Sequence, residues 1–251
     1  MYDLNEKEKS LNYAPWILLH GGNGTGKTTF GCGALDVLLL DMETGKKENT
    51  PKGCREPETY NDVLGWINSL TTTEHGFKTL VIDTLDRIEQ MITDEICTLH
   101  GWDSIMAPGF GKGTSERTRE WAMFWKALRE LRKAKNMCVI LIAHSKIEEV
   151  TDPILPSYGT HKVNLYKEDA RIACDLVDVV GFARIKVYTT QDGKTRNIAN
   201  TAGERVLSVN YDPKYDSKTR YARMAQAEEI PLTWLEFAKY FRTPKTTKGD
   251  E

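Results

Sequence analysis

The chain has 251 residues, 40% hydrophobic and 28% charged, with a formal net charge of −2. That length suits one large domain with an ordinary core, and the balanced charge excludes a generally basic nucleic-acid coat, so any such partner needs a local patch. Five cysteines, Cys32, Cys54, Cys97, Cys138 and Cys174, include no C-x-x-C pair; this argues against a disulfide framework and a zinc site and fits a reducing compartment.

In chain order, residues 1–13 read as a polar lead-in, and 16–20 as a buried strand running into glycines. Thr28 to about Asp36 is a short helix, and Val37–Asp41 a second apolar strand. Residues 44–58 are a loop, and 59–70 carry Val63, Leu64, Trp66, Ile67 and Leu70 at helical spacing. Lys78–Asp83 is a third strand. Leu85, Ile88, Met91, Ile92, Ile96 and Leu99 stripe the next helix. Residues 101–114 are glycine-rich and read as mobile. A long helix follows, with Trp121, Phe124, Trp125, Leu128 and Leu131 on one face. Cys138–Ala143 is a fourth strand, 145–162 a loop, and 164–176 a helix before a strand from Val177. Asp192-Gly193 signals a hairpin. Residues 205–211 alternate like a strand, Trp234 to Phe241 suggest a closing helix, and 244–251 read as a disordered tail. Strands alternating with amphipathic helices predict an α/β fold: a mainly parallel sheet flanked by helices, with antiparallel strands near the C-terminus, in one domain over 14–243. No run approaches the ~20 apolar residues of a membrane span. With no signal-like core near Met1, a cytoplasmic protein is expected.

The segment Gly21-Gly22-Asn23-Gly24-Thr25-Gly26-Lys27-Thr28-Thr29 contains the phosphate-binding pattern G-x-x-x-x-G-K-[ST] in the required context, after a strand and opening a helix. Glycines let backbone N–H groups converge on an anion without Cβ clashes, and the helix start adds partial positive charge. Lys27 is expected to reach the β- and γ-phosphates of ATP, and Thr28 to coordinate Mg²⁺. The second Mg²⁺ ligand is expected to be Asp83, which closes the run Leu80-Val-Ile. Thr84, not glutamate, follows it, so the group that orients the hydrolytic water must come from elsewhere. Glu43 in Leu40-Asp41-Met42-Glu43 ends a strand on the same carboxyl edge and is the candidate base.

These motifs resemble those of the RecA-like ATPases, in which a glutamate two residues after a strand-end aspartate activates the water; Asp41-Met42-Glu43 matches. The resemblance assigns γ-phosphate sensing to the polar residue closing a later strand, here His144, where the bacterial recombinase has glutamine. Lys218-Thr219-Arg220 resembles the Lys-x-Arg whose cations reach the γ-phosphate of a neighbouring subunit. GGNGTGKTT, LLLDMETG, KTLVIDTLDRIE, GFGKG, LIAHS and VDVVGFA, in that order over residues 15–240, resemble the phage-encoded Sak group of single-strand annealing and recombination ATPases. The resemblance implies a homo-oligomer, ring or filament, with shared sites, single-stranded DNA as a partner, and a single-strand-binding protein as a candidate partner.

DNA would then meet the segments near 101–116 and 145–163. Lys112, Arg117, Arg119, Lys146, Tyr158 and Lys162 are the candidate contacts, since aromatic rings beside cations suit stacked bases and phosphates. Residues 111–135 hold eight Lys or Arg against three Glu, a local excess of positive charge. The leading reading is a DNA-dependent ATPase. The alternatives are a phosphotransferase acting on a small metabolite, with GFGKG as a lid, and a nucleotide-switched assembly module, against which Glu43 argues.

Overall fold

The computed structural model describes residues 13–43, 50–151, 154, 156–192 and 196–241, with backbone alone over 189–192 and 196–200. The apolar runs become the central strands: β1 (Trp16–Gly21), β2 (Val37–Asp41), β4 (Thr79–Asp83), the first half of β5 (Cys138–Val150), and β7 (Val179–Ile185). Each is apolar at successive positions because both faces of the sheet are covered. Short β3 (Gly53–Arg55) extends the sheet beyond β2.

Helices fill the connections. α1 (Lys27–Cys32) follows the glycine loop; it stops before the expected Asp36 because Gly31 and Gly33 disfavour helix and Gly33 caps it. α2 (Tyr60–Thr72) starts at a capping box formed by Thr59 and Asp62. α3 (Leu85–His100) starts at Thr84, whose hydroxyl accepts from the Arg87 N–H, and ends at left-handed Gly101. α4 (Lys112–Lys135) and α5 (Lys167–Leu176) complete the set on that face. Alternate strand residues Trp16, Leu18, Val139 and Leu141 pack under α2 to α5. Ile17, Leu19, Ile140 and Ile142 face the other way. There Phe30 of α1 meets Phe237 of α6 (Trp234–Ala238) edge-on, with ring centroids 5.2 Å apart.

The order β12–β10–β7–β1–β5–β4–β2–β3 is parallel from β7 to β3. β10 (Arg205–Ser208) and β12 (Ile230–Pro231) add antiparallel strands at one edge, and β11 (Lys218–Thr219) pairs antiparallel with the start of β7. The expected fold class is therefore found: a mainly parallel, RecA-like sheet between helices, with antiparallel strands late in the chain. β8 (Tyr188–Asp192) and β9 (Arg196–Asn200) pair antiparallel on either side of the predicted turn, although Gly193 lies outside the described residues. The predicted lead-in up to residue 12, the first part of the 44–58 loop (44–49) and the 244–251 tail lie outside them as well.

One element is a correction. The segment 145–163, expected to be a loop, is mostly an antiparallel hairpin. β5 continues past the sheet to Val150 and pairs with β6 (Tyr158–Val163), from Ser145↔Val163 to Val150↔Tyr158. Its polar sequence reflects a ladder satisfied by backbone hydrogen bonds with little core to bury. Among the described residues, no helix is long and apolar enough to cross a membrane.

Candidate functional site

The loop after β1 is shaped by its neighbours before any ligand is considered. β1 and β7 pair so closely that a Cβ on Gly21 would stand 2.2 Å from the Ala183 carbonyl oxygen. Gly24 and Gly26 adopt φ of 72° and 104°, which only glycine takes without strain. The Thr25 hydroxyl donates to the Gly22 carbonyl at 3.0 Å and closes the loop. Lys27 is buried with its ammonium folded back, donating to the carbonyls of Gly21 and Gly22 at 2.9 Å each. Burial lowers its pKa below the usual lysine range, opposed by Asp83, then Glu43 and Asp86.

Thr28 donates to Asp83 Oδ2 at 2.6 Å, so a hydroxyl and a carboxylate meet where a hard cation takes oxygen ligands. Among the described residues, no group of three His, Cys, Asp or Glu side chains could hold a metal unaided. Mg²⁺ needs no such cage, since it keeps several waters and takes phosphate oxygens beside one or two protein ligands. The donors therefore fit it.

On the neighbouring strand, Asp41 stands in register with Asp83. Its Oδ1 accepts from the Glu43 N–H at 3.1 Å, bending the chain just after β2. Glu43 thereby reaches His144, whose Nε2 lies 3.2 Å from Glu43 Oε1. β5 lies between β1 and β4, which puts His144 in register with Gly21. Asp86, in the first turn of α3, accepts from His144 twice: from its backbone N–H at 2.9 Å and from Nδ1 at 2.7 Å. The Nδ1–H bond to Asp86 fixes the ring with Nε2 facing Glu43. Asp86, His144 and Glu43 thus form a continuous chain of contacts. Sequence reading missed Asp86; its place three residues after the strand-end Asp83, in the first turn of α3, is the signal that marks it.

These groups converge. Asn23, Gly24, Gly26, Lys27, Thr28, Thr29, Glu43, Asp83, His144 and Arg205 line one open cleft of about 460 Å³ at the carboxyl edge of the sheet. Arg205 was not anticipated. It comes from β10, on the far side of the loop, and runs along Gly26.

The remaining predicted residues divide. Lys112 and Arg119 are exposed on α4, and Phe110 just before it is fully exposed. Arg117 is a correction: it is 4% exposed, and its Nε donates to buried Asp169 at 2.9 Å, so it faces the core and not a DNA track. Burial raises the Asp169 pKa despite this neighbour. Arg117 lies four residues before Trp121 on the buried stripe that runs on to Leu128, which is the pattern that would have placed it. Trp102 also packs inward, stacked on His100 at 4.3 Å. Lys146 and Lys162 are cross-strand partners on the hairpin; the first pairs with Glu148 at 2.9 Å, the second with Asp216 at 2.7 Å. Tyr158 stands at the outer end of that ladder, half-buried.

Lys218 and Arg220 do not enter the cleft of their own chain. β11 pairs with Val179 and Val180 at the start of β7, while the phosphate loop lies at its other end. Lys218 Nζ donates to the Asp175 carbonyl at 3.1 Å, and Arg220 binds that carbonyl at 2.6 Å and Asp178 at 3.2 Å. Delivery to a neighbouring subunit would require both to leave these partners.

The sheet order and cleft define a P-loop nucleotide-binding protein of RecA-like architecture. The chain belongs to the AAA domain family, whose model matches residues 14–221. No curated protein matches it. Among solved structures, it is similar to one entitled "Crystal structure of the RadB recombinase", at 15% identity and a TM-score of 0.47, over 89% of this chain and 90% of that one.

Proposed function

We propose that this chain is an ATPase that hydrolyses ATP to ADP and phosphate, and that single-stranded DNA stimulates it during annealing or recombination. The observation that carries the reading is the convergence of Lys27, Thr28, Asp83, Glu43 and His144 in one cleft. Lys27 exchanges its two loop carbonyls for phosphate oxygens, a favourable trade for a buried ammonium. Thr28 and Asp83 would hold Mg²⁺, which would neutralise charge on the phosphates. Glu43 orients the attacking water and accepts its proton. His144, fixed by Asp86, sets the direction in which Glu43 points.

Two surface features support the DNA reading. Phe110 stands exposed between Gly109 and Gly111, beside Lys112, in a form suited to stack a base while the cation meets phosphate. The β5–β6 hairpin continues directly from His144, so DNA bound on it would lie in chain continuity with the residue that braces Glu43. The test is steady-state ATP hydrolysis with and without single-stranded DNA, alongside DNA binding at several salt concentrations. Turnover should rise with DNA, and log K should fall with log salt by about 0.7 per neutralised phosphate. Phe110→Ala and Lys112→Ala should weaken both responses. Hydrolysis that ignores DNA would leave an ATPase with another role.

A further inference from the structure

Among the described residues Arg205 is the one arginine lining the cleft, and it approaches from the flank opposite Asp83, His144 and Glu43. In the strand order, Asp83 ends β4, His144 lies on β5 and Glu43 follows β2, all on one side of the β1 loop. β10 lies two strands from β1 on the other side, roughly 10 Å away at the usual strand spacing.

The side chain is aimed by its surroundings. β10 is held on both edges, pairing with β7 and β12, and the Arg205 carbonyl accepts from the Leu232 N–H at 3.0 Å. A Cβ on Gly26 would lie 3.3 Å from Arg205 Cδ and 3.5 Å from Nη1, so the guanidinium lies along the loop in space that this glycine leaves open. Arg117, Arg132, Arg184 and Arg220 each bind a carboxylate. Arg205 makes no ion pair with a described residue. A cation on a rigid strand, with no ion-pair partner among the described residues and facing an anion-binding loop, is arranged for a ligand.

We infer that Arg205 holds the part of the nucleotide common to ATP and ADP, the α-phosphate and nucleoside side, from within the same chain. The direction follows from the flanks. With the γ-phosphate beside Asp83 and Glu43, the rest of the molecule extends away from β4 and β2, across the loop and toward β10. A guanidinium there pairs with phosphate oxygens and presents a flat face to the base. This inference rests on the cleft's being a nucleotide site.

The test is equilibrium binding of ADP and of ATP with Mg²⁺ to the wild-type chain and to the Arg205→Ala and Arg205→Lys variants, each checked for an unchanged unfolding midpoint. Arg205→Ala should weaken ADP and ATP by the same factor, roughly tenfold or more, the scale of one charged hydrogen bond. Arg205→Lys should recover part of the loss for both. ADP affinity that holds while ATP affinity falls would put Arg205 at the γ-phosphate and overturn the inference, as would unchanged affinity for both. If Arg205→Ala does not fold, Arg205→Lys decides: affinities for both ligands equal to wild type would refute the directed contact. A wild-type chain that binds neither nucleotide would instead remove the nucleotide site itself.

Discussion

His20, the residue before the phosphate loop, ties stability to pH. It is fully buried, and burial outweighs the backbone contact with Asp216 to lower its pKa from its ordinary 6.5 to about 4. The hydrogen bonds explain how the neutral ring is kept. The Asp216 carbonyl, 2.7 Å from Nε2, can only accept, so Nε2 carries the proton. Nδ1 then accepts from the Ser145 hydroxyl at 2.8 Å, and protonating it destroys that bond. Below pH 6.5 the unfolded chain takes up a proton that the fold refuses. The stabilisation is complete above 6.5, lost as pH falls through about 4, and gone below that. At 1.36 kcal/mol per pKa unit the loss is about 3 kcal/mol, a large share of the ~5–15 kcal/mol typical of a domain. Urea unfolding of the wild type and of His20→Gln, from pH 8 to pH 4, reads it out. The variant should be weaker near neutrality but lose less stability on acidification, because the carboxylate contribution is common to both. Parallel curves for the two proteins would refute the assignment of this proton to His20.

Other variants separate packing from chemistry. Arg117→Met leaves Asp169 buried without its partner and should cost about 3–5 kcal/mol in urea unfolding. It should not change the salt slope of DNA binding, whereas the double variant Lys112→Ala, Arg119→Ala should flatten that slope without altering stability; the reverse pattern would return Arg117 to the DNA surface. Asp86→Asn keeps the shape that contacts His144 but removes the negative charge that accepts from its Nδ1–H. It should lower kcat roughly tenfold or more with little change in ATP affinity, measured by turnover beside equilibrium binding. Equal loss of both would make Asp86 a structural support for the loop.

The parts of this site that sequence shows are those whose chemistry demands rare residues at fixed spacing. Gly21 to Thr28 is legible because the loop tolerates little else, and the apolar strands are legible because both sheet faces are covered. Asp83 and Glu43 follow once those strand ends are known. Arg205 is not legible: it lies far along the chain, on a four-residue strand, and only the antiparallel pairing with β7 returns it to Gly26. Asp86 is hidden for a related reason, since a helix-start aspartate has an ordinary explanation in the helix dipole. The 145–163 hairpin reads as a loop because its paired residues are mostly polar and only partly buried, and because Pro153 and Pro156 in the sequence between its two strands are turn signals. Lys218 and Arg220 show the limit of a short basic pattern, because Asp175 and Asp178, which hold them here, lie more than 40 residues away.

ATP binding and ATP turnover measured side by side in Glu43→Gln test the hydrolytic reading most directly. The amide keeps the shape and the contact toward His144 but cannot accept the water's proton. Nucleotide and Mg²⁺ affinity should stay near that of the wild type while turnover falls at least a hundredfold, roughly the contribution of a positioned base. Turnover close to wild type, or affinity and turnover lost together, would contradict Glu43 as the base and the cleft as an ATPase site built around it.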